Sequence, residues 1–294
     1  MDQTLMDTLC ICYNPKSGGG TVKADIEKAF GRFKARLIFV KLDANVDNGI
    51  ADALKQGAKV LVAAGGDGTV NAIAQQAVTH NMPMAVMPTG TLNHFAKDIG
   101  MPSDLEAAAA AITRGHLKRI DYASVNGTVF LNNSSLGLYP RLVRKRDRKA
   151  DTVGKWPAAG IALWHSLSNL RIMHLKFDID GQTSVYHTPL VFVGNNDYHP
   201  ERMGFTNRDQ LSDGVLSLHI VRAQSIWGLC KLVVRLGFGK SPSSDQFVNQ
   251  ECTSFTITSS KPQIDVSMDG ETKYFTTPLK YQIHAHGLQL CAPK

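Results

Sequence analysis

Four short apolar runs, "LCICY" (9–13), "RLIFVKL" (36–42), "KVLVAA" (59–64) and "MAVMP" (84–88), recur through the first ninety residues with helical stretches between them. Strands whose centres carry no polar residue are buried on both faces, and their alternation with helices predicts a parallel sheet covered on both sides. The helical stretches run from about Thr21 to Phe33, with Val22, Ile26, Ala29, Phe30 and Phe33 along one side, and over "NGIADALKQG", stopped at Gly57. A third follows the third strand through about His80, and "DLEAAAAAITRG" (104–115) is a fourth, with Gly115 as its C-cap. Parallel sheets bind ligands beyond the carboxyl ends of their strands. The glycine-rich segments "NPKSGGG" (14–20), "GGDGTVN" (65–71) and "PTGTLNHFAKDIG" (88–100) follow strands one, three and four, so all three fall on that edge.

Beyond about residue 118 the pattern changes to β-hairpins. Asn126-Gly127, Asp180-Gly181 and Asp269-Gly270 each lie between alternating runs, the strongest short-range hairpin signal. Helical interruptions fall near 155–170 and 225–238. The expected fold is α/β followed by β: an N-terminal three-layer α/β nucleotide-binding domain with a parallel sheet over 1–118, then a mainly antiparallel β-sandwich over 119–294. The last strand, near 286–294, is free to return to the first domain, and no internal repeat is visible.

Composition narrows the class. A chain of 294 residues suits about two domains, and no apolar run approaches the roughly 18 residues of a membrane span. The start, "MDQTLMDTLCICYNPK", lacks the basic and apolar regions of a signal peptide. Five cysteines without a CxxC pair argue against a disulfide framework or a zinc site and fit a reducing cytoplasm. The net charge of +7 suits nucleic acid, anionic lipid or a phosphorylated substrate, and equally a mildly basic soluble protein.

The glycine loops match no standard nucleotide fingerprint. "GFGKS" (237–241) has the end of a Walker A loop, but Val234 stands where its first glycine belongs, and the dinucleotide pattern from Gly66 ends on Asn71. The phosphate-binding physics remains: glycines admit an anion to the backbone, and the following helix offers free N–H groups and a positive dipole end. Thr69 and Asn71 add side-chain donors. A carboxylate there repels phosphates unless a cation intervenes, so Asp67 reads either as a partner of Mg²⁺ or as an Asx-turn or N-cap residue that orders the loop.

In order and along essentially the whole chain, "NPKSGGG", "GGDGTVN", "PTGTLNHFAKDIG", "LSDGVLSL" (211–218) and "VSMDGE" (266–271) resemble the diacylglycerol kinase catalytic-domain family, which includes bacterial lipid kinases and sphingosine kinases. The resemblance implies that Asn14 and the turn of Ser17, Gly18, Gly19 and Gly20 hold ATP, together with Gly65, Gly66, Asp67, Gly68, Thr69, Asn71 and Thr91. It implies that Asp213 ligates Mg²⁺ beside the backbone carbonyls of Gln210 and Val215. Asp269 and Glu271 match the family's acid pair, with Glu271 in the place of the proton acceptor, and Asp67 joins them in the catalytic set. The implied activity is ATP- and Mg²⁺-dependent phosphotransfer to the hydroxyl of a lipid, which the β-sandwich domain binds.

His94 departs from the family, which often has Asp there; Asp98, four residues on, is placed to supply part of the missing charge if the segment is helical. The basic run at 139–155, with Trp156 and Trp164 close behind, reads as a solvated face or as a lip for anionic head groups at the inner membrane surface. Nucleic acid is not an expected partner, because the run lacks interleaved aromatics or a recognition motif. A homodimer is compatible with the sequence. His284 and His286 read as structural, and Ser134 and Ser135, which have no G-x-S-x-G elbow, do not indicate hydrolase chemistry. Two other functions stand beside lipid phosphorylation: a soluble-metabolite kinase of the NAD kinase type, which shares a similar GGDG loop, and a non-catalytic lipid- or nucleotide-binding regulator.

Overall fold

The computed structural model describes residues 7–15, 22–43, 45–91, 93–137, 172–196, 211–222 and 247–293. Ser17–Gly20, Gln210, the basic run at 139–155, both tryptophans after it and both helical interruptions lie outside the described residues. The chain divides into two compact units. One comprises the described residues up to Tyr122, those at 211–213 and those from His284 on; the other comprises those between Ala123 and Asn196 and from Gly214 to Ile283.

The first unit alternates β1 (Thr8–Tyr13), α1 (Val22–Phe30), β2 (Arg36–Lys41), α2 (Val46–Lys55), β3 (Val60–Gly65), α3 (Asp67–His80), β4 (Met84–Pro88), α4 (His94–Asp98) and α5 (Leu105–Arg114). Its strands pair in parallel in the order β2-β1-β3-β4, with Leu9 opposite Val60 and Leu61 opposite Met84. Every residue of β3 and β4 is buried, as continuous apolar runs require when helices cover both faces. α1 ends at Phe30 rather than Phe33: the chain turns at Gly31 and the Phe33 N–H closes onto the Phe30 carbonyl at 2.8 Å. Phe33 stays on the apolar side through an edge-on contact with the Phe30 ring, centroids 6.4 Å apart.

Gly115 is the C-cap of α5, as expected, in an extended conformation (φ −66°, ψ 179°), and at the other end of the helix the Asp104 carboxylate accepts the Ala107 N–H at 2.8 Å. Glycine is needed at 115 for space, since a Cβ there would overlap the carbonyl oxygens of Ala111 and Ala292.

The strands continue as β5 (His116–Val125), β6 (Thr128–Phe130), β7 (Asn133–Gly137), β8 (Met173–Ile179), β9 (Gln182–Thr188), β10 (Leu190–Asn195), β11 (Leu216–Val221), β12 (Phe247–Cys252), β13 (Ser254–Ser259), β14 (Gln263–Met268), β15 (Glu271–Thr276) and β16 (Leu279–Ala292). In the second unit β12-β11-β10-β7-β14-β15 form one antiparallel sheet, and β13 and β8 pair antiparallel with the start of β16 and with β9 in another. Their apolar sides share a core that includes Leu136, Val191, Leu218 and Val266 from the first sheet and Leu175, Phe177, Ile257 and Tyr281 from the second. At all three predicted hairpins both central residues have positive φ: 47° and 79° at Asn126-Gly127, 50° and 77° at Asp180-Gly181, 47° and 86° at Asp269-Gly270. That is the turn whose twist matches paired strands, and Asn or Asp before Gly tolerates it best. At its far end β16 lies parallel to β4, with Leu290 opposite Met84, so the last strand extends the first unit's sheet. Among the described residues no helix is long and apolar enough to cross a membrane.

Candidate functional site

In the first unit the site is built from two strand-end loops that touch backbone to backbone. A Cβ on Gly90 would overlap the Cα of Gly66, and one on Gly65 would overlap the Thr69 side chain, so both glycines are required by close approach. Gly66, in extended conformation, is the N-cap of α3 and makes no side-chain cap; its carbonyl accepts the Val70 N–H at 3.0 Å. The N–H groups of the first turn therefore face the loop edge without intrahelical partners, which is the physical basis of anion binding at a helix start.

Asp67 is the first residue of α3. Its Oδ1 accepts the Phe95 N–H at 3.1 Å, fastening the 88–100 loop to the glycine loop, while Oδ2 takes no hydrogen bond among the described residues. The carboxylate orders the start of α4 rather than its own turn and keeps one oxygen for another partner. Thr69 and Asn71, expected to donate to phosphates, are 9% and 7% exposed within α3. Thr91 is exposed on the second loop, and Asn14 lies half-buried just past β1, whose last residue Tyr13 pairs with Ala64 of β3.

Two residues that the sequence reading passed over belong to the same loop. Asn93 adopts φ 50° and donates Nδ2–H to the Gly90 carbonyl at 2.8 Å. Its Oδ1, together with Thr89 Oγ1, is buried with no hydrogen-bond partner. Buried polar atoms are nearly always paired, so these two are left for a water or a ligand. The signal in sequence was their place inside "PTGTLN". His94, the first residue of α4, is exposed, and Asp98 closes that helix one turn later.

In the second unit Asp269 and Glu271 share the β14–β15 hairpin and have opposite surroundings. The Asp269 carboxylate accepts three backbone N–H groups: Leu131 at 2.7 Å, Asn132 at 2.8 Å and Asn133 at 3.0 Å. Its own N–H donates to the Asn133 carbonyl at 2.9 Å. Asp269 thus clamps the hairpin to the corner preceding β7, with most of its acceptor sites taken up by backbone N–H groups. Glu271, two residues on, is exposed, and its carboxylate has no hydrogen-bond partner among the described residues.

Asp213 is exposed, and the Val215 carbonyl, expected to face the metal, accepts the Asn196 N–H at 2.9 Å, which leaves it one lone pair. No three His, Cys, Asp or Glu side chains among the described residues cluster in a metal cage. One carboxylate with backbone carbonyls suits Mg²⁺, which keeps waters and takes further oxygens from substrate phosphates. The described cysteines, Cys10, Cys12, Cys252 and Cys291, are all buried and offer no exposed thiolate. Burial pushes the Cys252 thiol up to about 12 and Cys291 up to about 11. Of the two C-terminal histidines, His284 packs its ring and His286 is held through its backbone. His284 stacks on Tyr122 at 4.4 Å, and the His286 N–H donates to buried Asp121 at 2.7 Å.

Comparison with known proteins agrees with this organisation. Residues 8–125 match the diacylglycerol kinase catalytic domain, and residues 148–292 match the YegS C-terminal NAD kinase beta sandwich-like domain. A Staphylococcus aureus diacylglycerol kinase is 25% identical over 270 residues, covering 89% of this chain and 85% of its own length. A Synechocystis protein is 25% identical over 307 residues, covering 96% of this chain and 70% of its own. A solved Bacillus anthracis structure shares the fold, with TM-score 0.72 at 23% identity over 98% of this chain and 97% of that one. With a catalytic-domain match up to residue 125 and a sandwich-domain match over 148–292, the chain belongs to the diacylglycerol kinase catalytic-domain family and carries a YegS-type C-terminal domain.

Proposed function

We propose that the chain transfers the γ-phosphate of ATP to a hydroxyl of a lipid. Glu271 removes the alcohol proton, the alcohol oxygen bonds to the γ-phosphorus, the bond to the β–γ bridging oxygen breaks, and ADP leaves. Phosphoryl transfer asks the protein mainly for positioning and charge stabilisation, and a positioned base adds about 10²–10⁴-fold. The phosphates rest on the first turn of α3 and the 88–100 loop, with Asn14, Thr91 and Asn93 along the rim. Asp213, with the Gln210 and Val215 carbonyls, holds Mg²⁺, which when bound neutralises phosphate charge; Asp67 offers its spare oxygen to the same charge network. The basic run at 139–155 meets the anionic inner membrane surface.

The observation that carries this reading is the loop pair: two glycine loops in backbone contact at a helix start, with one carboxylate oxygen and two buried acceptors left over. Labelled ATP with Mg²⁺ and a total lipid extract tests it. Label entering the organic phase, and falling at least about 10²-fold in Glu271→Gln with an unchanged melting temperature, is the expected outcome. Label confined to a water-soluble product would instead establish the NAD kinase type of reaction, which the description of the C-terminal domain favours as the second reading.

A further inference from the structure

Within the second unit, buried hydroxyls are generally paired. Ser134 Oγ and the Tyr281 hydroxyl lie 3.0 Å apart, Thr188 Oγ1–H donates to the Leu190 carbonyl at 2.7 Å, and Ser217 Oγ–H donates to the Asn196 carbonyl. Three hydroxyls break the rule together: Ser135 Oγ, Ser267 Oγ and Thr272 Oγ1 are buried with no hydrogen-bond partner. They are neighbours. Ser135 on β7 stands opposite Ser267 on β14, which stands opposite Thr272 on β15. Leu136, Val266 and Met268 turn into the core, so the three hydroxyls form one row on the other face of the sheet. Ser135 and Ser267 are 0% and 1% exposed.

We propose that this row seats a neutral acceptor headgroup carrying more than one hydroxyl, which rests on the lipid-kinase reading above and names the substrate class. Orphaned polar groups in a native structure need an explanation, and three in register point to one bound group rather than three accidents. Each hydroxyl brings a donor and an acceptor, the complement of another hydroxyl. Three adjacent strands span roughly 10 Å, which a single alcohol does not cover and a glycerol or sugar head does. The row lies one residue pair from the turn that carries Glu271, since Met268 pairs with Glu271 and Ser267 with Thr272. That is a rise of about 3.3 Å along the strand.

Charge favours a neutral head over an anionic one. On this face Asp265 lies two residues from Ser267, and His219 lies in the row beyond Phe192, while Lys273, the only Lys or Arg on the described strands of this sheet, pairs with core-facing Val266 and so turns the other way. Phe192 continues the row beyond Ser135 and gives the seat an apolar flank.

The test presents monoacylglycerol, diacylglycerol and phosphatidylglycerol in micelles at saturating ATP. The wild type should show its lowest KM for monoacylglycerol. Ser135→Ala/Ser267→Ala/Thr272→Val should raise that KM about tenfold, leave the KM for ATP unchanged and not lower the melting temperature, because the deleted hydroxyls have no protein partners. Thr272→Ser, which keeps its hydroxyl, should behave as wild type, and Ser267→Ala alone should show part of the shift if the triple variant does not fold. An unchanged monoacylglycerol KM, or a wild-type preference for phosphatidylglycerol, would overturn the seat while leaving the lipid kinase standing. A wild type that labels no lipid at all would remove both.

Discussion

Asp67 and Asp269 look alike in sequence: each follows a buried strand, each precedes a glycine, and each falls in a motif of the family. Their backbones make them different residues. At Asp67 the chain enters a helix, the carboxylate receives one N–H from a neighbouring loop, and an oxygen is left over. At Asp269 the chain makes a tight turn with φ 47°, and three consecutive N–H groups of a distant corner converge on the carboxylate. The number of amides aimed at an aspartate, more than its neighbours in sequence, separates a group free to meet a ligand from one that holds the fold.

The sharpest way to break that contrast is Asp269→Ala. It leaves three N–H groups at a part-buried corner without their charged acceptor, so stability should fall by about 3–4 kcal/mol, allowing for solvent replacing part of the loss. Chemical denaturation measures this directly. If Asp269→Ala instead melts like wild type while losing phosphotransfer, the clamp is a catalytic group and the comparison is reversed.

The fold was largely legible because its signals are local. Apolar runs of strand length, glycine loops at strand ends and three Asn-Gly or Asp-Gly turns each declare themselves within a few residues. What escaped was long-range. The turn at Asp269-Gly270 could be read, but not its clamp, since Asn132 lies 137 residues upstream. Gly115 was legible as a glycine at a helix end, yet the reason for it is Ala292, from a strand that returns at the other end of the chain. Asn93 escaped for a subtler reason: its left-handed backbone directs its amide back to Gly90, which composition does not announce. Ser134 and Ser135 are adjacent and identical in type, and only strand register shows that one hydroxyl is paired and the other is not.

Asp67→Asn sharpens the other side of the contrast. The amide oxygen still accepts the Phe95 N–H, so the loops stay fastened and stability should move by no more than about 0.5 kcal/mol. Losing the charge should lower phosphotransfer roughly 10²-fold, the scale of one electrostatic contact to a transition state. A full loss of stability with activity retained per folded molecule would make Asp67 a second clamp.

The smallest effect sets the scale for the other two. Asp104 also accepts one N–H, from Ala107 at 2.8 Å, but as the N-cap of α5, away from either glycine loop. Its replacement by Ala should cost about 1 kcal/mol, the usual value for a lost cap, and should leave phosphotransfer untouched at temperatures where the protein is folded. Asp104 and Asp67 each hold one amide, from its own helix and from a neighbouring loop respectively, whereas Asp269 holds three from a left-handed backbone in which Ala adds about 1 kcal/mol of its own. If Asp104→Ala and Asp269→Ala prove equally destabilising, amide number does not set the strength of these contacts. If Asp269→Ala costs about three times as much once the left-handed backbone is allowed for, by comparison with Asp269→Gly, the three hydrogen bonds add nearly independently. The carboxylate is then a main fastening of the hairpin that carries Glu271, beside its pairing with β7.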